Sequence, residues 1–288
     1  MASAENPAPL HADSRLARRL ESLCATEMSR FAETARALDP ESGAEWLAVG
    51  GGVAAFVGAG SPVNQASGLG MNGPVGVDAV EALERFYLDR GARPALGVCP
   101  LADVTLIRAL SVRGWTLDGF ENVLIRALTA VEAHEPAAPG IEIREVLAEE
   151  DRDTWALVAA TGFSDPLPPL AEQLRLAAVV VRRPGARLFL ALVDGRAAGT
   201  GELLVEDGVA WLSADSTLPQ FRGRGVQQSL QRHRLALGAS AGCDLAATES
   251  APGSVSSRNQ ERAGFRLAYT RVDLVGPESA APEEGTTE

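Results

Sequence analysis

The chain has 288 residues, more than one domain usually holds, and is 46% hydrophobic against 22% charged, so it can build two packed cores; this excludes a mainly disordered protein. A net charge of −12 argues against nucleic acid as a partner, because such binding needs cations clustered along a phosphate track. All 26 basic residues are arginine, which excludes lysine nucleophiles, Schiff bases and a P-loop lysine.

Cys24, Cys99 and Cys243 are odd in number and far apart, so they form neither a disulfide framework nor a zinc pattern, and no metal site is expected. The N-terminus lacks the apolar core of a signal peptide, and no run approaches the roughly 20 apolar residues that span a bilayer. These features predict a soluble cytoplasmic protein with no membrane partner, either a monomer or a homodimer.

Residues 1–13 are small and polar and are expected to be disordered. From 14 to 38, Leu16, Leu20, Leu23, Met28, Phe31 and Leu38 recur at helical spacing and predict an opening helix. Trp46–Val49 and Val53–Val57, split by Gly50-Gly51-Gly52, predict a hairpin. Residues 131–140 carry two prolines and no apolar period, and are read as a linker between a first domain at 14–130 and a second at 141–275. The second domain begins with a strand at Ile141, followed by helices near 151–160 and 171–182. Three β-prone runs come next, 187–193, 198–205 and 209–217, with turns at Asp194-Gly195 and Asp207-Gly208, which predict an antiparallel meander. A helix (224–239), a strand (244–249), a helix (254–263) and a strand (265–275) complete the domain; the acidic tail 276–288 is expected to be disordered.

A repeat supports the division. Arg113-Gly114-Trp115 matches Ala263-Gly264-Phe265 at an offset of 150, and at that offset the helix from Val77 and the strand from Ala95 fall on the helix around Gln227 and the strand around Leu245.

The chemistry concentrates in Ser213–Leu235. A β-prone run ends near Thr217, and Arg222-Gly223-Arg224-Gly225-Val226-Gln227 then opens a helix. Glycines let backbone N–H groups approach a ligand, and the unsatisfied N–H groups of a helix start attract anions, so the turn suits a pyrophosphate. There is no GxGxxG and no terminal Lys-Ser/Thr, which disfavours Rossmann and Walker sites.

This segment resembles the acyl-CoA signature of the GNAT superfamily, Arg/Gln-x-x-Gly-x-Gly/Ala, with Arg222, Gly225 and Gln227 at its defined places; Gln227 departs from the small residue usual there. The ending Asn259–Phe265, NQERAGF, is similar to the family's Tyr-x-x-x-Gly-Phe, with Gln260 standing where many relatives carry a proton-donating tyrosine. The resemblance spans about 141–275. It implies an α/β (α+β) protein of two GNAT-like domains, each a mixed, mostly antiparallel sheet flanked by helices, in which two strands of the second domain splay to admit a pantetheine arm.

By that resemblance acetyl-CoA lies against Ser216, Thr217, Leu218, Arg222, Gly223, Arg224, Gly225, Val226 and Gln227, with Ser254 and Asn259 from the next helix. The backbone N–H near Leu218 polarises the thioester carbonyl. Amine acylation needs a proton acceptor; Glu249 and Asp215 are the leading carboxylates, with Glu202 also considered, while Cys243 and Tyr269 stand as replacements for the missing tyrosine. Arg232 and Arg234 read as solvated members of a cationic patch beside the loop. The implied activity is N-acetyl transfer to an amine of a small molecule or peptide; the alternatives are a non-catalytic acyl-CoA sensor and a tRNA-dependent aminoacyltransferase. Applying the repeat, Asn72-Gly73-Pro74-Val75-Gly76-Val77 replaces the loop in the first domain. Both arginines are lost there and Pro74 removes an N–H, so this half is expected to bind no CoA and to wall the acceptor pocket or mimic a dimer partner.

Overall fold

The computed structural model describes residues 11–129, 137–164 and 167–278. The stretches 1–10, 130–136 and 279–288, which hold most of the expected disordered ends and of the linker, lie outside the described residues. By packing, the chain divides into two units: one contains Glu121–Thr270, the other Ser14–Phe120 together with the segment from Arg271 onward. The division falls inside two strands, so the units differ from the sequence-derived domains by a strand segment each.

In the second-half unit, Glu121–Ala127, the later part of β5 (Thr116–Ala127), pairs antiparallel with β10 (Leu245–Ser250). The sheet continues from β10 through β9 (Val209–Thr217), β8 (Arg196–Glu206) and β7 (Ala186–Val193) to β6 (Ile141–Glu145). Only the β9–β10 pair is parallel; the others named are antiparallel. The meander turns close at Asp194 and Asp207, both at positive φ and each followed by glycine, as two-residue hairpins of right-handed twist require.

Helices α4 (Glu149–Phe163), α5 (Ala171–Val180), α6 (Val226–Ser240) and α7 (Val255–Arg262) complete this unit. Phe189, Leu203, Leu212, Leu230, Ala246 and Phe265 form much of its core. Trp155 of α4 is almost wholly buried, and its indole N–H donates to the Phe189 carbonyl at 3.1 Å. Residues 137–140, the described end of the linker, are tied here too: the Ala138 N–H donates to Ser229 Oγ at 3.1 Å.

The other unit opens with α1 (Ser14–Leu38), as its apolar spacing predicts, and the hairpin β1 (Glu45–Val49) and β2 (Gly52–Phe56). A two-residue strand, β3 (Ala66–Ser67), escapes sequence reading because it is too short to show a period; it pairs with β2 and, in parallel, with β4 (Ala95–Val98). Helices α2 (Val77–Leu88) and α3 (Val104–Val112) follow the repeat, falling within a residue or two of α6 and α7 shifted by 150. Val272–Val275, from the last strand β11 (Arg266–Val275), complete this sheet by pairing antiparallel with Ala95–Val98. Gly276, assigned to the tail by composition, is buried; its N–H donates to the Pro94 carbonyl at 2.9 Å and its carbonyl accepts from Arg93 Nε at 2.9 Å.

Among the described residues no helix is long and apolar enough to cross a membrane, and no group of His, Cys, Asp and Glu is arranged to hold a metal ion.

Candidate functional site

The site begins with a break in strand pairing. β10 follows β9 only from Leu245↔Val209 to Thr248↔Leu212, whereas on its other side β10 stays paired with β5 out to Ser250↔Asn122. Ser213–Thr217 therefore carry a sheet edge that β10 leaves uncovered, the edge a ligand's amides pair with in strand addition. The cause is local. The β8–β9 register slips between Thr200 and Glu202, and Ala214 sits at φ 51 in the left-handed region, which a non-glycine residue seldom adopts. This irregularity sits where β9 and β10 cease to pair.

Beyond Thr217 a short 3-10 turn over Pro219–Phe221 leads into the loop, and Gly225 caps α6 in the left-handed conformation, φ 83. A side chain there would be strained, so glycine is what lets the chain turn into the helix. No acidic residue stands in the first turn of α6 to neutralise its N–H groups.

Strand end, loop and α7 surround a cavity of about 510 Å³. Of the residues singled out from sequence, Asp215, Ser216 and Thr217 line it from β9, Arg222, Gly223, Gly225, Val226 and Gln227 from the loop and helix start, and Asn259 from α7. Gly162 and Phe163 of α4, Val255, Ser256 and Arg262 line it as well; the sequence reading passed over them because no motif marks them. Leu218, Arg224, Ser254 and Glu249 are not among the lining residues.

Several side chains take positions that spacing did not reveal. Arg222 is exposed and donates from Nε to the Thr217 carbonyl at 3.3 Å. Arg224 instead faces the β7–β8 turn, 3.4 Å from Asp194, with its guanidinium 5.9 Å from the Phe221 ring centre. Ser254 caps α7 by accepting the Ser257 N–H at 3.0 Å. Gln227 keeps its long side chain within the site by accepting from Asn259 Nδ2 at 2.7 Å, a bond that ties the start of α6 to α7.

The carboxylates separate into different environments. Asp215 lines the cavity and forms an ion pair with Arg234. Burial pushes its carboxyl above the ordinary aspartate range, and Arg234 opposes that rise. Arg234 is fully buried, which corrects its reading as a solvated helix arginine: its helix face packs on the sheet. Glu202, also buried, pairs with Arg183 and accepts from Ser213 Oγ at 3.0 Å. Glu249 is half-buried at the end of β10, beyond the last β9–β10 pair.

Gln260, at the tyrosine position, is buried and donates from Nε2 to Thr248 Oγ1 at 3.0 Å and more weakly to the Glu249 carbonyl at 3.3 Å. Cys243 and Tyr269 are buried in the packing, the usual fate of such residues.

No family model matches the chain, and no curated protein does. Solved structures do. A GCN5-related N-acetyltransferase from Kribbella flavida is similar over 87% of this chain and 95% of its own, at 16% identity and a TM-score of 0.59. A tandem GNAT protein from the clavulanic acid biosynthesis pathway, solved without AcCoA, matches 95% of this chain and 98% of its own, at 15% identity and a TM-score of 0.59. A functionally unknown conserved protein from Staphylococcus epidermidis covers 70% of this chain and 81% of its own, at 11% identity and a TM-score of 0.53. The chain has the tandem GNAT fold.

Proposed function

We propose that this protein is an N-acetyltransferase that moves an acetyl group from acetyl-CoA to an amine of a small molecule or peptide. The observation that carries the reading is the open cradle: an uncovered strand edge at Ser213–Thr217 runs towards a glycine-capped helix start, and Asp215–Thr217 of that edge line one cavity with the helix start. The edge suits the amides of a pantetheine arm, and the N–H groups of Gly223–Gln227 with Arg222 suit a pyrophosphate. The positive φ of Gly223 and Gly225 fits close approach of backbone to phosphate oxygens.

Acyl transfer needs a neutral amine, a proton acceptor and stabilisation of charge on the carbonyl oxygen. Asp215 is the carboxylate among the lining residues, and its raised pKa makes it a stronger base than an exposed aspartate. Glu249, at the end of the strand that leaves β9, is the second proton acceptor; the Leu218 N–H, expected from the resemblance to polarise the carbonyl, instead donates to the Ala198 carbonyl at 2.9 Å.

The experiment has two stages. Calorimetric titration with acetyl-CoA and with CoA should give one tight site, and a panel of small-molecule and peptide amines should then release free thiol. No binding of either nucleotide would end the reading.

One observation favours a second reading, an acyl-CoA sensor without turnover. Gln260 cannot donate a proton as the family's tyrosine does, and its amide is held by Thr248 inside the unit. Tight acetyl-CoA binding with no thiol release across the panel would select that reading.

A further inference from the structure

We infer that Arg234, which does not line the cavity, is the positioning residue that fixes Asp215 at the cavity wall and holds the β9 bulge in shape. This rests on the acetyltransferase reading above.

Arg234 projects from α6 into the sheet with its side chain 0% exposed. Nε donates to the Leu230 carbonyl at 3.1 Å, one turn back in its own helix. Nη1 donates to the carbonyls of Glu202, at 2.8 Å, and Ser213, at 3.2 Å. Nη2 pairs with Asp215 Oδ1. The guanidinium therefore grips the residues before and after Ala214, the residue in the left-handed conformation, and spans the irregularity in β9.

The space for this group is built into the opposite strand. Gly201 faces the bulge, and a Cβ placed on it would lie 2.7 Å from Arg234 Cζ and 2.9 Å from Nε. Glycine is disfavoured in strand interiors and commonly marks a bulge or a close approach; here the approaching group is a guanidinium. The neighbouring charges are arranged around the same irregularity: Glu202, paired with Arg183, accepts from Ser213 Oγ.

A buried guanidinium is costly unless paired, and an apolar residue of similar volume would fill this space at less cost in stability. What an apolar residue would not do is hold the Asp215 carboxylate in one orientation. An aspartate on an open strand edge samples several rotamers, whereas acylation needs the proton acceptor at hydrogen-bond distance from the incoming amine.

The test uses the full chain with Arg234→Met, Arg234→Lys, Asp215→Asn and the double variant Arg234→Met with Asp215→Asn. Arg234→Met is expected to lower kcat at least tenfold while KM for acetyl-CoA changes less than threefold. Arg234→Lys recovers part of the loss, and the double variant is no slower than the slower single. Independently of turnover, carbon NMR of labelled aspartate carboxyls, assigned with Asp215→Asn, should show Asp215 titrating at higher pH in Arg234→Met than in the parent, because the opposing cation is gone.

A folded Arg234→Met or Arg234→Lys protein with parental kcat, or losses that multiply in the double variant, would overturn the inference. If the parent itself transfers nothing, the acetyltransferase reading fails but the titration still decides: an unmoved Asp215 then refutes the role of Arg234. Should Arg234→Met not fold, Gly201→Ala keeps every charged group and displaces the guanidinium; a parental kcat in that variant likewise counts against the inference.

Discussion

The turn before α6 and the turn before α2 occupy the same place in the repeat, yet one frames a cavity and the other is filled by its own chain. Ahead of α6 the loop offers Arg222, two glycines at positive φ and a helix start without acidic neighbours. Ahead of α2 the Val75 N–H is taken by Thr105 Oγ1 at 2.8 Å, Pro74 has no N–H, and the Asp78 carboxylate lies over Gly76, where an added Cβ would come within 2.4 Å of it. The residue 150 positions after Thr105 is Val255, which lines the cavity. A helix start is a ligand site only where the protein leaves its donors unspent, and a handful of side chains decides this on an otherwise shared backbone plan.

The open turn depends most on the packing that supports it. Trp155→Ala removes the anchor of α4, whose Gly162 and Phe163 wall the cavity; it is expected to cost about 3–5 kcal/mol in denaturant unfolding and to weaken CoA binding with it. Next in size, Arg222→Ala should cost about 1.5–3 kcal/mol of CoA affinity by calorimetry, the range of a charge-assisted hydrogen bond. Arg224→Ala should cost far less, since that side chain is turned to Asp194. Asn72→Arg in the other turn should leave the stoichiometry at one CoA; a second equivalent would show that charge alone separates the two turns.

Ser254→Ala sharpens the contrast between cap and ligand contact. Loss of the α7 cap should lower stability by about 1 kcal/mol with CoA affinity nearly unchanged. The smallest effect is one of pH. α3 is capped by Asp103, whose carboxyl is held below the ordinary range by the N–H and hydroxyl of Thr105. That stabilisation is present above the ordinary aspartate value of 3.8 and fades as pH falls through the lowered one. The serine cap of α7 does not titrate. Amide exchange should therefore show α3 losing protection in acid before α7 does; equal loss would contradict it.

Much of this was legible in the sequence because local rules govern it. The apolar spacing of Ser14–Leu38 specifies α1, the Asp-Gly turns place the meander, and glycines at 223 and 225 before an amphipathic run mark the cradle. The rest depends on what lies across the sheet. Arg234 reads as a surface arginine until Gly201 is seen to leave it a hole, Gln227 reads as a departure from the signature until Asn259 is found beside it, and Ser254 reads as a ligand contact until its hydroxyl is seen capping α7. Strand partners are equally hidden, since alternation along β11 does not say that its last residues pair with Ala95–Val98.

That last pairing bears on how the protein comes into being. The unit begun at Ser14 is finished only by Arg271–Gly276, and within it Arg271, buried, bonds Glu21 Oε1 at 2.8 Å. During synthesis the first half of the chain must wait, with that edge of β4 uncovered, until residues 271–276 have been made. Cutting the gene at residues 131–140 would not release two self-sufficient modules, since each product would lack a strand segment encoded in the other.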